Sequence, residues 1–232
     1  MPKNIFTFTD PGKSPRKECF VFLPGWGFPG RVIELATPRR AWLTVDDQLA
    51  PDTAVEDLAD FLDRQRIDSI VLVGWSLGAY LAVNFMLRYP ERVKALYLLA
   101  MRRFWPPTEI EGIRADLTED PVGFMKSFYR KCFLGHPSDY RKFRASFEGS
   151  CLAGLDLDNL EAGLGYLQDF RLNSKAEQVA RLNISAYVLH GAKDIIAPPA
   201  EMAVVPGTVS RIIKSAGHPV FLDQDCPLDW HH

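Results

Sequence analysis

A Gly-Trp-Ser-Leu-Gly sequence at residues 74–78 constrains the fold of this chain more than any other feature. It follows the apolar run 70–73 and precedes a helical pattern over 79–89. A strand, a tight Gly-x-Ser-x-Gly turn and a helix together form a nucleophile elbow, which presents a serine hydroxyl at the carboxyl end of a sheet. The two glycines let the strand and the helix pack closely. Ser76 is therefore a candidate nucleophile, and a purely structural turn is the alternative.

Short apolar runs along the chain predict a mostly parallel sheet. Continuous apolar character is typical of strands that are buried on both faces. Because these runs alternate with helical patterns, we expect an α/β fold with a doubly wound sheet and right-handed crossovers. The runs are 19–23, 41–45, 70–74, 93–100, 186–190 and 211–214, with a further candidate edge strand at 5–9 before a turn at 10–12.

Two helical patterns flank the motif. Thr53 followed by Glu56 resembles a capping box at the start of the first helix. The second pattern begins at Leu77 and should end near Tyr89, because Pro90 disfavours helical geometry in the residue before it.

The alternation of strands and helices stops between residues 102 and 182, a segment called the insertion below. This segment is helical and rich in aromatic residues, and it has no convincing buried strand. We expect residues 1–101 and 183–232 to form the α/β core and the insertion to form a helical cap over the carboxyl end of the sheet, where open α/β sheets bind ligands. Surface helices without a lid role are the alternative.

The amino-acid composition limits which binding partners and which cellular location we expect for this chain. With 232 residues, 47% of them hydrophobic, the chain can form one large α/β domain with a substantial core. A net charge of -2 gives no reason to expect a nucleic acid partner. No apolar run approaches the ~20 residues that span a bilayer, and the amino terminus lacks the apolar region of a signal peptide. We expect a cytoplasmic monomer without membrane contact, with four reduced cysteines that show no metal-ligand spacing.

A nucleophilic serine needs a base, and His218 is the best candidate among five histidines. It follows the last predicted strand in a loop of small residues, whereas His190 ends a predicted strand and is expected to be buried with its ring hydrogen-bonded. His136 lies in the insertion, and 231–232 close the chain as frayed or tag-like residues. The alternative for His218 is a structural loop histidine.

The imidazole in turn needs an acid, and Asp194 follows the strand next to the one that precedes His218. The order of serine, acid and histidine is then that of one large class of hydrolases. Asp223 and Asp225 are alternative acids, expected to be exposed charges at a helix start.

The loop after the first long strand can supply a donor for an oxyanion. It reads Pro24-Gly25-Trp26-Gly27, and its glycines allow the amide of Trp26 to turn toward the site beside the amide of Leu77. A structural β-turn is the alternative. Aromatic side chains should wall an apolar substrate pocket, the candidates being Trp26, Trp75, Phe128 and Phe143.

A basic stretch of the insertion is a candidate docking surface for an acidic partner. Between residues 126 and 144 the chain has a single acid, Asp139, and six cations, Lys126, Arg130, Lys131, Arg141, Lys142 and Arg144. We call these six residues the basic face. Such a face would attract an acidic carrier, although lysines and arginines also commonly line solvated helices.

Together these residues resemble the α/β-hydrolase superfamily over essentially the whole chain. Residues 24–27, paired with 74–78 and with the run 89–96, are similar to the pimeloyl-acyl carrier protein methyl ester esterases of biotin synthesis. That resemblance implies a triad of Ser76, Asp194 and His218, with no metal or organic cofactor. It also implies hydrolysis of a methyl ester on a pimeloyl chain held by acyl carrier protein.

The sequence differs from the family pattern in two places, and both differences bear on the identity of the substrate more than on the triad. The family usually shows an Asp-x-Pro-Gly-x-Gly-x-Ser loop where this chain reads Asp-Asp-Gln-Leu-Ala-Pro over 46–51. A shorter group of pimeloyl esterases also lacks that loop. Residues 223–232 are a candidate for a truncated closing helix. We expect a serine carboxylesterase; the alternatives are a small-ester carboxylesterase or thioesterase without a carrier, and a non-catalytic binding protein on the same scaffold.

Overall fold

The predicted strands pair into one twisted, mostly parallel sheet. The computed structural model describes residues 4–9, 19–36 and 41–228, and within them the strand order is β1-β3-β2-β4-β5-β6-β7. Of the pairs between these described strands, only β1–β3 is antiparallel. The α/β prediction is therefore confirmed, whereas the turn predicted at 10–12 lies outside the described residues. The strands are β1 (Phe6–Phe8), β2 (Cys19–Leu23), β3 (Leu43–Val45), β4 (Ile70–Trp75), β5 (Val93–Leu99), β6 (Ser185–Gly191) and β7 (Val209–Ile213).

Among the described residues, two α-helices precede the insertion, α1 (Ala54–Gln65) and α2 (Leu77–Arg88), together with 3-10 helices at Gly30–Ala36 and Pro90–Arg92. Helix α2 ends at Arg88, close to the end near Tyr89 that the sequence predicts from Pro90. The capping box at α1 is wrong, because the Thr53 side chain makes no capping hydrogen bond to the helix backbone. Its hydroxyl instead donates to the Asp57 carboxylate at 2.7 Å, and the same carboxylate accepts the backbone N–H of Asn4 at 2.8 Å.

The centre of the sheet is buried on both faces. Every residue of β4 is buried, and α2 packs directly on β4 and β5. The contact is close because glycines stand at the crossing: a Cβ on Gly74 would lie 2.5 Å from Ala79 Cα, and one on Gly78 would lie 2.0 Å from Leu23 O. Two glycines of the 74–78 motif are thus required by packing, which fixes the turn between them.

Between β5 and β6 the described chain is helical, as predicted. Its helices are α3 (Pro107–Glu119), α4 (Pro121–Cys132), α5 (Pro137–Phe143), α6 (Gly149–Ala153), α7 (Leu157–Asp169) and α8 (Asn173–Arg181), with a π-helical turn at Arg144–Glu148 between α5 and α6. Helices α7 and α8 contact α2, and α3 contacts α4 and α7. The division into core and cap stays a prediction.

The start of the insertion is tied to the segment between β6 and β7 by a buried arginine. Arg102 donates two hydrogen bonds to Glu109, at 2.8 and 3.0 Å, and pairs with Glu201. Its guanidinium carbon also lies 4.2 Å from the centre of the Trp105 ring. A buried cation of this kind requires partners, and here they come from two different parts of the chain.

In the described ranges, no helix is long and apolar enough to cross a membrane. The cysteines are free, as predicted, and all of them are buried: Cys19, Cys132, Cys151 and Cys226.

Candidate active site

Ser76 occupies a strained backbone position between β4 and α2. Its φ and ψ are 53° and −117°, a region that residues other than glycine rarely adopt and that costs roughly 1–3 kcal/mol. The surrounding structure holds it there: Ser76 N donates to Leu99 O at 2.8 Å, and Ser76 O accepts from Ala79 N at 2.9 Å. Ser76 is only 6% exposed. The motif therefore has the strained turn of a nucleophile elbow.

Asp194 and His218 meet at the edge formed by the carboxyl ends of β6 and β7. His218 Nδ1 lies 2.8 Å from Asp194 Oδ2, and both residues are almost fully buried. The other carboxylate oxygen, Oδ1, accepts the N–H groups of Ile196 at 2.9 Å and Ala197 at 2.8 Å. Because a carboxylate can only accept, the His218 proton in this bond sits on Nδ1, which leaves Nε2 free to take a proton.

The environment of Asp194 keeps it ionised. Burial acts to raise the pKa of its carboxyl group, but the charge and the hydrogen bond of His218 and the amide of Ala197 outweigh burial. The pKa of Asp194 therefore lies below its ordinary value of 3.8. An ionised carboxylate in this position orients the imidazole and stabilises it once it is protonated.

The loop that carries His218 rests on the residue before the serine. Trp75 Nε1 donates to His218 O at 2.9 Å, and the two rings lie 5.4 Å apart. No hydrogen bond joins Ser76 Oγ to His218 Nε2 within the described ranges. Such bonds are often long in unliganded active sites and shorten when substrate binds.

The alternative acids are placed differently from what the sequence predicts. Asp223 is buried, not exposed, and it accepts hydrogen bonds from Ser215 Oγ at 3.0 Å and Asp225 N at 2.9 Å. No helix begins there: residues 223–228, the described part of the predicted closing helix, are irregular. His218 instead bonds Asp194, and Asp225 is exposed as expected. The two terminal histidines lie outside the described residues.

The loop 24–27 lies directly against Ser76. A Cβ on Gly25 would lie 3.3 Å from Ser76 Cβ, and Gly27 has a φ of 71°, which favours glycine. In the described part of the chain, neither the Trp26 amide nor the Leu77 amide donates a hydrogen bond to the protein. Both N–H groups are therefore free to donate to a ligand.

The predicted pocket residues belong to one aromatic cluster. Trp26 contacts Phe128 with ring centres 5.1 Å apart. Phe143 is fully buried and reaches this group through Phe28, whose ring lies 5.4 Å from Phe143 and 4.8 Å from Trp75. Sequence reasoning missed Phe28, which follows the candidate oxyanion loop and links three of the four predicted pocket residues.

The segment 46–51, where the family pattern is absent, packs under the insertion. Gln48 pairs with Pro29 in an isolated antiparallel bridge, and Leu49 O accepts from Asn159 Nδ2 of α7 at 3.1 Å. The segment 46–51 is thus tied directly to α7 of the insertion.

The remaining histidines have different surroundings. His190 is fully buried with Nε2 2.6 Å from Ala197 O, as expected for a strand-end histidine, and burial lowers its pKa. His136, to which the sequence assigned no role, lies against the loop of His218 and accepts a hydrogen bond from Gly217 N at 3.1 Å. Only its flanking Gly135 and Pro137 hinted that it is specially placed.

The basic face is exposed on α4, on α5 and at Arg144, the first residue of the π-helical turn after α5. All six of its cations are exposed. Lys142 pairs with Asp139 at 2.8 Å and Arg144 with Glu148 at 3.3 Å. Among the described residues, the other four form no ion pair: Lys126, Arg130, Lys131 and Arg141.

Comparisons with known proteins agree with this architecture. Residues 12–225 match the family described as the alpha/beta hydrolase fold. The chain is 26% identical over 182 residues to the pimeloyl-(acyl-carrier protein) methyl ester esterase of Citrobacter koseri, covering 73% of this chain and 70% of the relative.

Solved structures give the same fold. An esterase from Exiguobacterium antarcticum superposes with a TM-score of 0.74 at 18% identity, covering 94% of this chain and 90% of that one. A hydrolase from Pseudomonas aeruginosa gives a TM-score of 0.71 at 18% identity, with 92% and 86% covered. With the family matched over nearly the whole sequence, the chain belongs to the α/β hydrolase fold family.

Proposed function

We propose that this chain is a serine carboxylesterase that uses Ser76, His218 and Asp194. The observation that carries the proposal is the buried Asp194–His218 hydrogen bond, formed on a loop that rests on Trp75, directly before the strained Ser76. A serine held at a costly backbone angle and an imidazole oriented by a carboxylate are two parts of the arrangement that acyl transfer requires, and they support the proposal.

In the first step, Ser76 Oγ attacks the ester carbonyl while His218 Nε2 takes the hydroxyl proton. Asp194 keeps the imidazole in the correct tautomer and stabilises the imidazolium. The N–H groups of Trp26 and Leu77 bind the oxygen that becomes negatively charged. His218 then returns the proton to the leaving alcohol, which departs and leaves an acyl ester on Ser76.

In the second step, water hydrolyses the acyl-enzyme. His218 removes a proton from the water as it attacks, and then protonates Ser76 Oγ as the acid leaves. Each proton taken is returned, so the cycle ends with the free enzyme, one alcohol and one carboxylic acid.

The substrate proposed first is the methyl ester of a pimeloyl chain on acyl carrier protein. The name of the Citrobacter koseri relative supports this choice. The exposed basic face also supports it, because cations without ion pairs attract an acidic carrier. A small-ester carboxylesterase or thioesterase without a carrier is the second candidate, since the segment 46–51 departs from the family pattern. A binding protein without activity ranks third.

The test compares three reactions of the purified protein. It should hydrolyse a short p-nitrophenyl ester and be labelled at Ser76 by a fluorophosphonate, and its kcat/KM should be much higher for the pimeloyl-carrier methyl ester. The Ser76→Ala variant is the control for both activity and labelling. Absence of labelling and turnover would favour the binding protein, and activity on small esters alone would favour the second candidate.

Growth of a biotin auxotroph offers an independent readout. The chain should rescue a strain that lacks its own pimeloyl methyl ester esterase, and Ser76→Ala should not. Rescue by the Ser76→Ala variant would contradict the assigned nucleophile. The same cells can be fractionated to test the cytoplasmic location, and size-exclusion chromatography tests the monomer.

A further inference from the structure

His136 lies at the junction between the insertion and the loop that carries His218. It is the residue before α5, with its own N–H bonded to Phe133 O at 2.9 Å and its carbonyl accepting from Tyr140 N at 2.9 Å. The backbone of His136 is therefore fixed by the insertion, and its side chain is 9% exposed.

The His136 ring bonds the residue immediately before His218. Gly217 N donates to His136 Nε2 at 3.1 Å. The two segments also touch directly, because a Cβ on Gly217 would lie 2.5 Å from Leu134 O. A glycine is thus required for the main chain of the His218 loop to reach the insertion at this point.

This hydrogen bond exists in only one protonation state of His136. Nε2 accepts, so it carries no proton, and the neutral ring holds its proton on Nδ1, which lies 3.8 Å from Asp139 Oδ2. A second proton would turn Nε2 into a donor that faces the donor of Gly217. The bond would then be lost.

The surroundings of His136 favour the neutral ring. Burial is the largest influence and lowers the pKa of His136, and the positive charge of Lys193 lowers it further. The carboxylates of Asp139 and Asp223 act in the opposite direction without reversing the shift. These groups come from α5, from the loop after β6 and from the loop that follows His218.

We propose that His136 is a positioning residue for the esterase reaction: by accepting the N–H of Gly217, its neutral ring sets the place of the His218 imidazole. This inference rests on the proposed function. It makes the insertion part of the machinery that orients the base, since Asp194 fixes the ring from one side and His136 fixes the main chain beside it.

The test compares two substitutions of His136, one that can accept the hydrogen bond from Gly217 and one that cannot. Glutamine can present its side-chain oxygen near the place of Nε2, whereas leucine of similar size cannot accept a hydrogen bond. We expect H136L to lose about 10- to 100-fold in kcat on a short p-nitrophenyl ester with little change in KM, because small displacements of a reacting group have large effects on turnover. H136Q should stay within about threefold of the unmodified protein.

A pH profile separates positioning from a structural role. In the unmodified protein, protonation of His136 should contribute to the loss of kcat/KM on the acid side of the pH profile. H136Q lacks this titrating group, so its acid limb should be less steep. If H136L keeps full activity, or if the acid limb has the same slope in H136Q, the inference is overturned.

Two controls protect these conclusions. The Gly217 amide, followed by NMR in isotope-labelled protein, should shift as His136 titrates and should exchange faster with solvent in H136L; an amide that does neither also overturns the inference. If H136L does not fold, G217A disturbs the same contact from the other partner and should show the same loss of kcat. If the unmodified protein hydrolyses no ester, the proposed function is wrong. If it hydrolyses esters and substitution of His136 leaves kcat unchanged, only this inference is wrong.

Discussion

Trp26 and Leu160 are joined by a hydrogen bond from the indole Nε1 to the main-chain oxygen, with a length of 2.8 Å. Trp26 belongs to the candidate oxyanion loop, and Leu160 belongs to α7 of the insertion. Tyr129 of α4 adds a second link, because its hydroxyl donates to Gly27 O at 2.7 Å. The insertion therefore holds the loop whose amide is proposed to bind the oxyanion.

Substitution of Gly163 should test this link. A Cβ on Gly163 would lie 2.5 Å from Trp26 Cδ1, so Gly163→Ala should displace the indole and the amide of the same residue. We expect kcat for a small ester to fall about 10- to 100-fold, since complete loss of one oxyanion donor costs ~10²–10³. Gly165→Ala is the matched control, because a Cβ there meets nothing within 4 Å. It should keep full activity, and equal effects of the two variants would contradict the link.

The strain at Ser76 predicts a gain of stability on substitution by glycine. Glycine adopts a φ of 53° without penalty, whereas alanine keeps the strain. Ser76→Gly should therefore raise the free energy of unfolding by about 1 kcal/mol relative to Ser76→Ala, measured by urea denaturation. Both variants should be inactive. A glycine variant no more stable than the alanine variant would mean that the turn is not strained.

Asp194→Asn should abolish most activity with little change in structure. An amide can donate to His218 Nδ1, which favours the wrong tautomer of the ring, and a loss of about 10⁴-fold in kcat is expected. The fold should be retained in circular dichroism. Asp225→Asn, at the exposed alternative acid, serves as the control and should retain activity; the opposite pattern would reassign the acid.

Stability should fall as the pH drops below about 6.5, because two buried histidines have lowered pKa values. Burial lowers the pKa of His136 and of His190 in the folded protein, so the unfolded chain binds their protons more readily. Their contribution is present above the ordinary pKa of 6.5 and is lost as the pH falls through the folded values. Each histidine adds a slope of up to about 1.4 kcal/mol per pH unit.

Urea unfolding between pH 7.5 and pH 5, values chosen to bracket that ordinary pKa, measures this effect. His136→Gln removes one of the two groups and should make the dependence on pH shallower. An unchanged slope would show that His136 takes up its proton in the folded protein as easily as in the unfolded chain.

Reversing charges on the basic face should separate the two candidate substrates. With Lys126, Arg130 and Arg141 changed together to Glu, we expect kcat/KM for the carrier-bound ester to fall about tenfold or more, because steering by opposite charge is lost. Hydrolysis of a small ester should be unchanged. Higher salt should weaken the effect in the unmodified protein.

A control for this variant reverses three exposed cations outside the insertion, Arg64, Lys94 and Arg211. It should leave the carrier-bound ester unaffected. Equal losses in the two triple variants, or equal losses on both esters, would mean that the basic face is not a docking surface.

Much of the core could be predicted because its signals are local. Strand β2 was predicted at its observed bounds, since a buried parallel strand is continuously apolar. The edge strand β7 begins at Val209, two residues before the predicted start, because its exposed first residues carry no apolar pattern. The pairing of Asp194 with His218 could be anticipated from strand order alone.

The features that the sequence did not predict depend on contacts between residues that lie apart in the sequence. The hydroxyl of Thr53 donates to the Asp57 carboxylate and makes no hydrogen bond that caps the helix. The same carboxylate bonds Asn4, which lies 53 positions from Asp57 in the sequence. Asp223 is buried and accepts a hydrogen bond from Ser215, contrary to the exposed position that the sequence predicts. The contact of His136 with Gly217 spans 81 positions, and no spacing rule connects a residue of the insertion with a loop after the last strand.

The burial of Ser76, at 6% exposure, has a kinetic consequence. If Ser76 is the nucleophile, as proposed, an ester should reach a hydroxyl that solvent hardly contacts only after neighbouring segments move, so we expect a gating motion before acylation. Viscogens such as sucrose should then slow turnover even of a highly reactive ester. The same enclosure limits the access of water to a serine that carries an acyl group, so in the proposed reaction both acylation and deacylation should slow when the helices move less.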